Sequence, residues 1–122
     1  MAISVKRVYE RPLPEDGYRV LVDRLWPRGV SQVMGHVDLW LRDIAPTTGL
    51  RRWYGHEFDR WPEFQQRYRQ ELVGHGALLD LVLDIEQHRK RVTLLFGARD
   101  EERNEAHVVA DVLRDRPPHS HR

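Results

Sequence analysis

The chain has 122 residues, of which 40% are hydrophobic and 32% are charged, which suits one globular domain with a buried core. Twenty Lys and Arg against 19 Asp and Glu leave a net charge of +1, so no overall positive field exists to drive nonspecific nucleic-acid binding. The lack of cysteine excludes disulfides, thiol nucleophiles and zinc–thiolate sites. Because neither a signal segment nor a membrane span is visible, we expect a cytoplasmic protein.

The first half of the chain predicts short strands separated by turns. Residues 3–8 indicate a first strand, and the prolines and Asp-Gly of residues 12–17 indicate a turn. Residues 18–25 carry apolar side chains at both odd and even positions, which point to opposite faces of a strand. This pattern is typical of a central strand covered on both faces. The connection of about ten residues is short for a crossover, so the relative direction of these two strands is left open.

Residues 37–44 allow two interpretations. Their apolar alternation fits a strand, whereas the spacing of Leu41 and Ile44 fits a helical turn. Ser31 is expected to cap a short turn before this segment. After it, Thr47 or Thr48 is expected to cap a short helix that ends at Gly55.

The second half of the chain predicts three helices and one more buried strand. Asp59 is expected to cap a helix that tolerates Pro62 in its first turn. One face of that helix carries a stripe at helical spacing, formed by Trp61, Phe64, Tyr68 and Leu72. A second helix spans residues 78–90 and leads into a strand at 91–98. The last helix buries Ala106, Val109, Ala110 and Leu113, and stops at Pro117-Pro118.

These elements predict an α/β fold. We expect a single three-layer domain over residues 1–116, with a mostly parallel sheet of about four strands and helices on its faces. Residues 117–122 are expected to form a flexible C-terminal tail.

Several motifs together resemble one family. The run Asp-Gly-Tyr-Arg-Val-Leu-Val-Asp-Arg-Leu-Trp-Pro-Arg-Gly at 16–29, Leu-Arg-Arg-Trp-Tyr-Gly-His at 50–56 and Thr-Leu-Leu-Phe-Gly-Ala-Arg-Asp at 93–100 are similar to the YeaO-like family, domain of unknown function 488. The resemblance covers nearly the whole chain. It implies a small α/β domain of bacteria and archaea without an assigned activity.

The chain departs from that family's pattern at the start of the last helix. Many relatives carry Asn-His-Ala where this chain has Asn104-Glu105-Ala106, and a more distant branch carries Cys-His-Arg near the same place. Thiol chemistry is therefore excluded here. A mechanism based on a histidine at that helix start is not implied for this chain.

Two predicted buried strands run directly into charged residues, and their carboxyl ends define the candidate site. In open α/β sheets ligands bind at that edge. Arginine forms bidentate contacts with phosphate or carboxylate, and an indole can stack on a ring. We therefore expect an anionic small molecule to bind in a cleft lined by Arg24, Trp26, Arg28, Arg99 and Asn104.

His56 and Asp100 are the candidate catalytic residues of this cleft. His56 follows a glycine in a loop, where an imidazole can transfer protons, and Asp100 follows the last buried strand. Plainer roles compete with these, because Asp100 can simply cap the last helix and Asp23 with Arg24 can form internal ion pairs. The sequence leaves open whether any reaction takes place at this edge.

Two other function classes stay open beside a ligand-binding or enzymatic cleft. The pairs Arg24/Arg28 and Arg51/Arg52, with Trp53 and Tyr54, also fit a nucleic-acid-binding accessory protein. The third class is a protein-interaction module without catalysis. No metal site or cofactor is expected, because metal-ligand spacings and glycine-rich phosphate loops are missing from the predicted domain. The oligomeric state cannot be read from the sequence.

Overall fold

Four short strands form one parallel sheet in a computed structural model that describes residues 2–117. They are β1 (Ile3–Arg7), β2 (Tyr18–Leu21), β3 (Leu39–Trp40) and β4 (Val92–Phe96). Their order across the sheet is β1-β4-β2-β3, so β4 lies between β1 and β2 and pairs with both in parallel. The predicted α/β class and mostly parallel sheet are confirmed. The sequence left open the relative direction of the first two strands, and the structure shows that β1 and β2 are parallel although they are not neighbours in the sheet.

Within residues 2–117 the chain forms five α-helices. They are α1 (Gln32–Gly35), α2 (Thr48–Tyr54), α3 (Trp61–Val73), α4 (Gly76–Arg89) and α5 (Glu105–Asp115). Two predicted caps are present, because the hydroxyl of Ser31 accepts from the Met34 N–H and that of Thr47 accepts from the Leu50 N–H. None of the described helices is long and apolar enough to span a membrane.

The two faces of the sheet are covered unequally. On one face α2 to α5 pack over Val20, Val92, Leu94 and Phe96 to form the main core. On the other face a smaller cluster is supplied by the connection between β2 and β3. It comprises Val8, Leu21 and Leu95 packed against Trp26, Val30, Val37 and Trp40.

The aromatic stripe of α3 is buried as predicted for three of its four members. Phe64, Tyr68 and Leu72 lie in the main core, and the Tyr68 hydroxyl donates to the Ile44 carbonyl oxygen at 2.6 Å. Trp61 is only half-buried, because it begins the helix and lines a cavity described below. The helical spacing therefore identified the core face of this helix.

The central strands are shorter than predicted. β2 ends at Leu21 and not at residue 25, and two residues later the Asp23 carboxylate accepts a hydrogen bond from the Gly97 N–H. β4 ends at Phe96, two residues before the predicted end and directly before Gly97. Residues 37–44 contain both predicted alternatives, since β3 is followed directly by a 3₁₀ turn at Arg42–Ile44.

The predicted capping role of Asp59 is wrong. Asp59 lies inside a 3₁₀ turn at Phe58–Arg60 that continues directly into α3, and Arg60 occupies the cap position without a side-chain hydrogen bond. Pro62 in the first helical turn offers no N–H for a cap to satisfy.

A charged network is buried beneath the second face of the sheet. The Asp16 carboxylate accepts from Arg19 Nη1 at 2.5 Å and from Lys6 Nζ at 3.1 Å, and also from the Leu13 N–H. Burial opposes ionisation of Asp16, but the Leu13 N–H and the two cations outweigh it and lower the pKa of this carboxyl. The Asp16 carbonyl oxygen in turn accepts from the Thr93 hydroxyl, which ties the turn before β2 to β4.

Candidate functional site

A cavity of about 680 Å³ opens at the carboxyl ends of β2 and β4. Its walls come from the loops 23–28 and 97–105, from α2 and from the first turns of α3. It is larger than the concavity of about 430 Å³ along α3 and the one of about 220 Å³ beside α4. Of the residues singled out from the sequence, Arg24, Trp26, Arg28, His56, Asp100 and Asn104 all line it.

Arg99 is the exception, and its expected place beside Arg24 is wrong. Arg99 is exposed and is not among the residues that line the cavity. The strand motif predicted two arginines at one edge, but residues 97–103 form a loop in which Arg103, and not Arg99, contributes the guanidinium to the wall. Sequence spacing alone does not fix which way a loop side chain points.

Two of the five arginines in the cavity wall are committed to internal contacts. Arg24 donates from Nε to the Pro46 carbonyl oxygen and from Nη2 to the Ala45 carbonyl oxygen, both at 3.2 Å. It therefore holds the chain that leads into α2, and the ion pair with Asp23 that the sequence allowed as an alternative is not formed. Arg103 pairs with Asp100 at 3.0 Å and lies 4.5 Å over the Phe58 ring.

The other three arginines form an exposed group that we call the arginine rim, namely Arg28, Arg51 and Arg52. Their guanidinium groups make no hydrogen bond or ion pair with any residue between 2 and 117, although the charge of Arg51 also acts on the Glu105 carboxyl. Arg28 comes from the loop after β2 and the other two from α2. Two separate elements thus present unpaired positive charge to one concavity.

Aromatic side chains provide most of the apolar wall. Trp61 stacks on Phe64 at 5.3 Å with an interplanar angle of 15°, and Tyr54 lies 4.8 Å from Phe64. Phe58 is 55% exposed at the opening of the cavity. Trp26 is held by a hydrogen bond from Nε1 to the Val30 carbonyl oxygen at 2.6 Å. We call these side chains the aromatic wall, which is held by ring contacts and one hydrogen bond and leaves Phe58 open to solvent.

Asp100 and Asn104 shape the loop between β4 and α5. Asp100 does not cap the last helix, which was the plainer alternative to its predicted catalytic role, and it instead accepts from the N–H groups of Glu102 and Arg103 at 2.9 Å. Those N–H groups, followed by the Arg103 side chain, lower the pKa of the Asp100 carboxyl. Asn104 caps α5, because its Oδ1 accepts from the His107 N–H at 3.1 Å while its Nδ2 donates to the Asp100 carbonyl oxygen. Asn104 was predicted to contact a ligand, but it is 3% exposed and both ends of its amide are occupied.

His56 lies at the mouth of the cavity. It is exposed and has a φ of 60°, a left-handed conformation that directly follows Gly55 at the end of α2. Its ring centroid is 6.3 Å from that of Tyr54, so the imidazole continues the aromatic wall outward.

A pair of carboxyl groups, which sequence reasoning missed, lies within the same wall. Both Asp23 and Glu105 line the cavity. Burial raises the pKa of Glu105 well above its usual value, and the neighbouring Asp23 carboxyl raises it further through a hydrogen bond and charge repulsion. The carboxyl groups of Glu105 and Asp23 therefore interact directly in the folded protein. Only the departure of Glu105 from the family's Asn-His-Ala pattern marked this position in the sequence.

Two buried polar atoms of the cavity wall lack a hydrogen-bond partner among the described residues. One is Oδ1 of Asp23 and the other is the hydroxyl of Tyr54. Tyr54 is only 8% exposed, and burial raises the pKa of its phenol, with a further contribution from the Asp100 charge. A buried polar group without a partner carries a free-energy penalty of about 1–3 kcal/mol. We call Asp23, Glu105 and the Tyr54 hydroxyl the inner polar groups.

No three His, Asp or Glu side chains converge as metal ligands within residues 2–117. The arrangement as a whole combines unpaired guanidinium groups, the aromatic wall and incompletely satisfied polar atoms. Such a concavity is chemically suited to hold a small molecule that carries both charge and apolar surface.

Comparison with known proteins identifies relatives over nearly the full chain. A family model described as "Inactive DUF488-N3 subclade" matches residues 2–121. The chain is 41% identical over 114 residues to "Uncharacterized protein Mb3100c" of Mycobacterium bovis and to "Uncharacterized protein Rv3073c" of Mycobacterium tuberculosis, covering 93% of this chain and 95% of each relative. It is 40% identical to "Uncharacterized protein YeaO" of Escherichia coli over 93% of this chain and 98% of that protein. No solved structure gives a significant match.

Proposed function

The chain belongs to the family described as the inactive DUF488-N3 subclade, and we propose that it is a binding domain, which holds an anionic small molecule without transforming it. The ligand occupies the cavity at the carboxyl edge of the sheet. Its anionic group contacts the arginine rim, and its remaining part packs against the aromatic wall.

The observation that carries this proposal is the convergence of unpaired arginines on one concavity. Arg28 and the pair Arg51/Arg52 come from different elements, yet their side chains lack internal partners and border the same space. Arg24 and Arg103, by contrast, use their guanidinium groups on carbonyl or carboxylate oxygens of the protein. Guanidinium groups without partners are available for bidentate contacts with phosphate or carboxylate.

The aromatic wall indicates that the ligand also has an apolar or planar part. Phe58 exposes half of its ring at the opening, and the stacked pair Trp61/Phe64 lies behind it. A bare anion such as inorganic phosphate would leave this surface uncovered. A ring attached to the anionic group would bury it, which contributes about 25 cal/mol for each Å² of apolar area.

The remaining candidate residues take supporting roles in this proposal. Arg24 and Asp100 fix the loops of the cavity wall through their backbone contacts. Asp100 is not proposed as a catalytic group, because its carboxylate already accepts from two N–H groups and from Arg103. His56, at the mouth, is proposed as a contact to the ligand and not as a proton-transfer group.

A thermal-shift screen of phosphate- and carboxylate-bearing small molecules tests the proposal. A ligand that binds only the folded state raises the melting temperature. We expect shifts for wild type that are lost in the double variant Arg28→Gln/Arg51→Gln and retained in Arg99→Gln, the matched control outside the cavity. Loss of the shift in Arg99→Gln but not in the double variant would contradict the proposed site.

The nucleic-acid alternative makes a different prediction from the same arginines. Binding to a phosphate backbone weakens steeply with salt and falls by degrees with each arginine removed. Titration of an oligonucleotide at two salt concentrations therefore separates the two functions. Salt-sensitive oligonucleotide binding without any small-molecule shift would replace our proposal, and the absence of both would leave a protein-interaction module.

A further inference from the structure

We propose that the ligand carries, apart from its anionic group, a hydrogen-bond-donating group that binds the inner polar groups of the cavity. This inference rests on the proposed function and adds the chemical class of the ligand: an anion that also bears an amino or similar donor. The arginine rim and the inner polar groups then recognise different parts of one molecule.

The first argument is the acceptor capacity of the carboxyl pair. One oxygen of Asp23, Oδ2, accepts from the Gly97 N–H at 2.9 Å, whereas the buried Oδ1 lacks a hydrogen-bond partner among the described residues. Even when the neighbouring Glu105 carboxyl is protonated and donates to Asp23, one proton fills few of the lone pairs of the two groups, so the pair favours an incoming donor.

The second, independent argument is the Tyr54 hydroxyl. Its ring is fixed among Phe64, Trp61 and His56, all of which line the cavity, and the residue is more than nine-tenths buried. Its hydroxyl has no hydrogen-bond partner among residues 2–117. A phenylalanine would fill the same apolar surroundings without that penalty, so the hydroxyl is explained by a group that arrives with the ligand.

The third argument is the separation of charge within the wall. The neighbouring carboxyl groups of Asp23 and Glu105 disfavour a further anion beside them, whereas the exposed guanidinium groups of the arginine rim attract one. The anionic end of the ligand therefore points to the rim. The other end of the ligand, which faces the inner polar groups, is then neutral or cationic. A hydrogen-bond donor at that end binds the acceptor atoms of these groups.

A matched pair of probes tests the inference. Phenyl phosphate and 4-aminophenyl phosphate share the anion and the ring and differ only by one amino donor. We expect wild type to bind the amino compound about tenfold more tightly by calorimetric titration, the effect of about one hydrogen bond to a charged group. Tyr54→Phe and Asp23→Asn should each reduce this preference, while Arg99→Gln should leave it unchanged.

The variants are chosen so that misfolding does not obscure the result. Tyr54→Phe removes a hydroxyl without a partner and should keep the melting temperature of the free protein at or above that of wild type. Equal affinity of wild type for the two phosphates would overturn the donor inference and leave the proposed function intact. Failure of both phosphates to bind would overturn the inference and count against the proposed function as well.

Discussion

The Asp23 carboxylate accepts a hydrogen bond from the Gly97 N–H at 2.9 Å, joining the ends of two central strands that are 74 residues apart in the sequence. The contact leaves no room for a side chain at position 97, because a Cβ there would lie 2.9 Å from Oδ2 of Asp23. This pair sets the spacing of the two loops that form the cavity.

The first prediction follows from that close approach. Gly97→Ala should lower the free energy of unfolding by about 1–3 kcal/mol, because a methyl group in a filled space forces the carboxylate or the loop to move. Gly49→Ala is the control, since nothing lies within 4 Å of a Cβ built there. Urea denaturation of both variants measures the effect, and equal stability of the two would refute a tight Asp23–Gly97 contact.

The second prediction concerns the core face of α3. Phe64→Ala should cost about 3–5 kcal/mol, because it removes a ring that is 4% exposed and touches three other aromatic side chains. Val73→Ala on the same helix should change little, since Val73 is 81% exposed. Denaturation midpoints and slopes provide the comparison. An unchanged midpoint in Phe64→Ala would place the stripe in solvent.

The third prediction concerns acid stability. The pKa of Asp16 is lowered in the folded protein, so its stabilising effect is present above the ordinary value of 3.8 and is lost as pH falls through the lowered folded value. Asp16→Asn should reduce stability at neutral pH by about 1.5–3 kcal/mol, the range for a hydrogen bond to a charged group. The variant should also lose part of the acid dependence. Asp59→Asn, which alters an exposed carboxyl, should retain the wild-type dependence.

The fourth prediction concerns Glu105, whose ionisation destabilises the fold, whereas that of Asp16 stabilises it. The pKa of Glu105 is raised in the folded protein, so this residue destabilises the fold increasingly as pH rises from its ordinary value of 4.5 toward the folded value. Glu105→Gln keeps a hydrogen-bond donor next to Asp23 without that cost. We expect it to be more stable than wild type at pH 8, with a smaller difference at pH 5. A Glu102→Gln control should show neither effect, and a destabilised Glu105→Gln at pH 8 would contradict the raised pKa of Glu105.

Much of the fold could be predicted from local patterns. The cap at Thr47 and the buried run of β4 depend on a single turn or on spacing and are confirmed, and the stripe of α3 is confirmed for three of its four members. The resemblance to the YeaO-like family is likewise confirmed by the 40% identity to YeaO. Strand ends were less predictable, because the bond between Asp23 and Gly97 is a tertiary contact that neither strand reveals alone.

The sequence indicated the edge of the sheet at which the candidate site lies, but not which side chains come together there. The carboxyl edge followed from two strands that end in charge, yet Arg99 and Arg103 could be told apart only by the path of the loop between them. The carboxyl pair was missed for a similar reason. Asp23 and Glu105 lie far apart in the chain, and their carboxyl groups meet only in the folded protein.

The central claim, that an anionic ligand occupies this cavity, is tested most directly by a crystal structure of the protein with the compound that gives the largest thermal shift. We predict density for the compound at the carboxyl edge of β2 and β4, with its anionic group within hydrogen-bond distance of Arg28, Arg51 or Arg52. Density for the compound at another surface, with this cavity empty, would contradict the account.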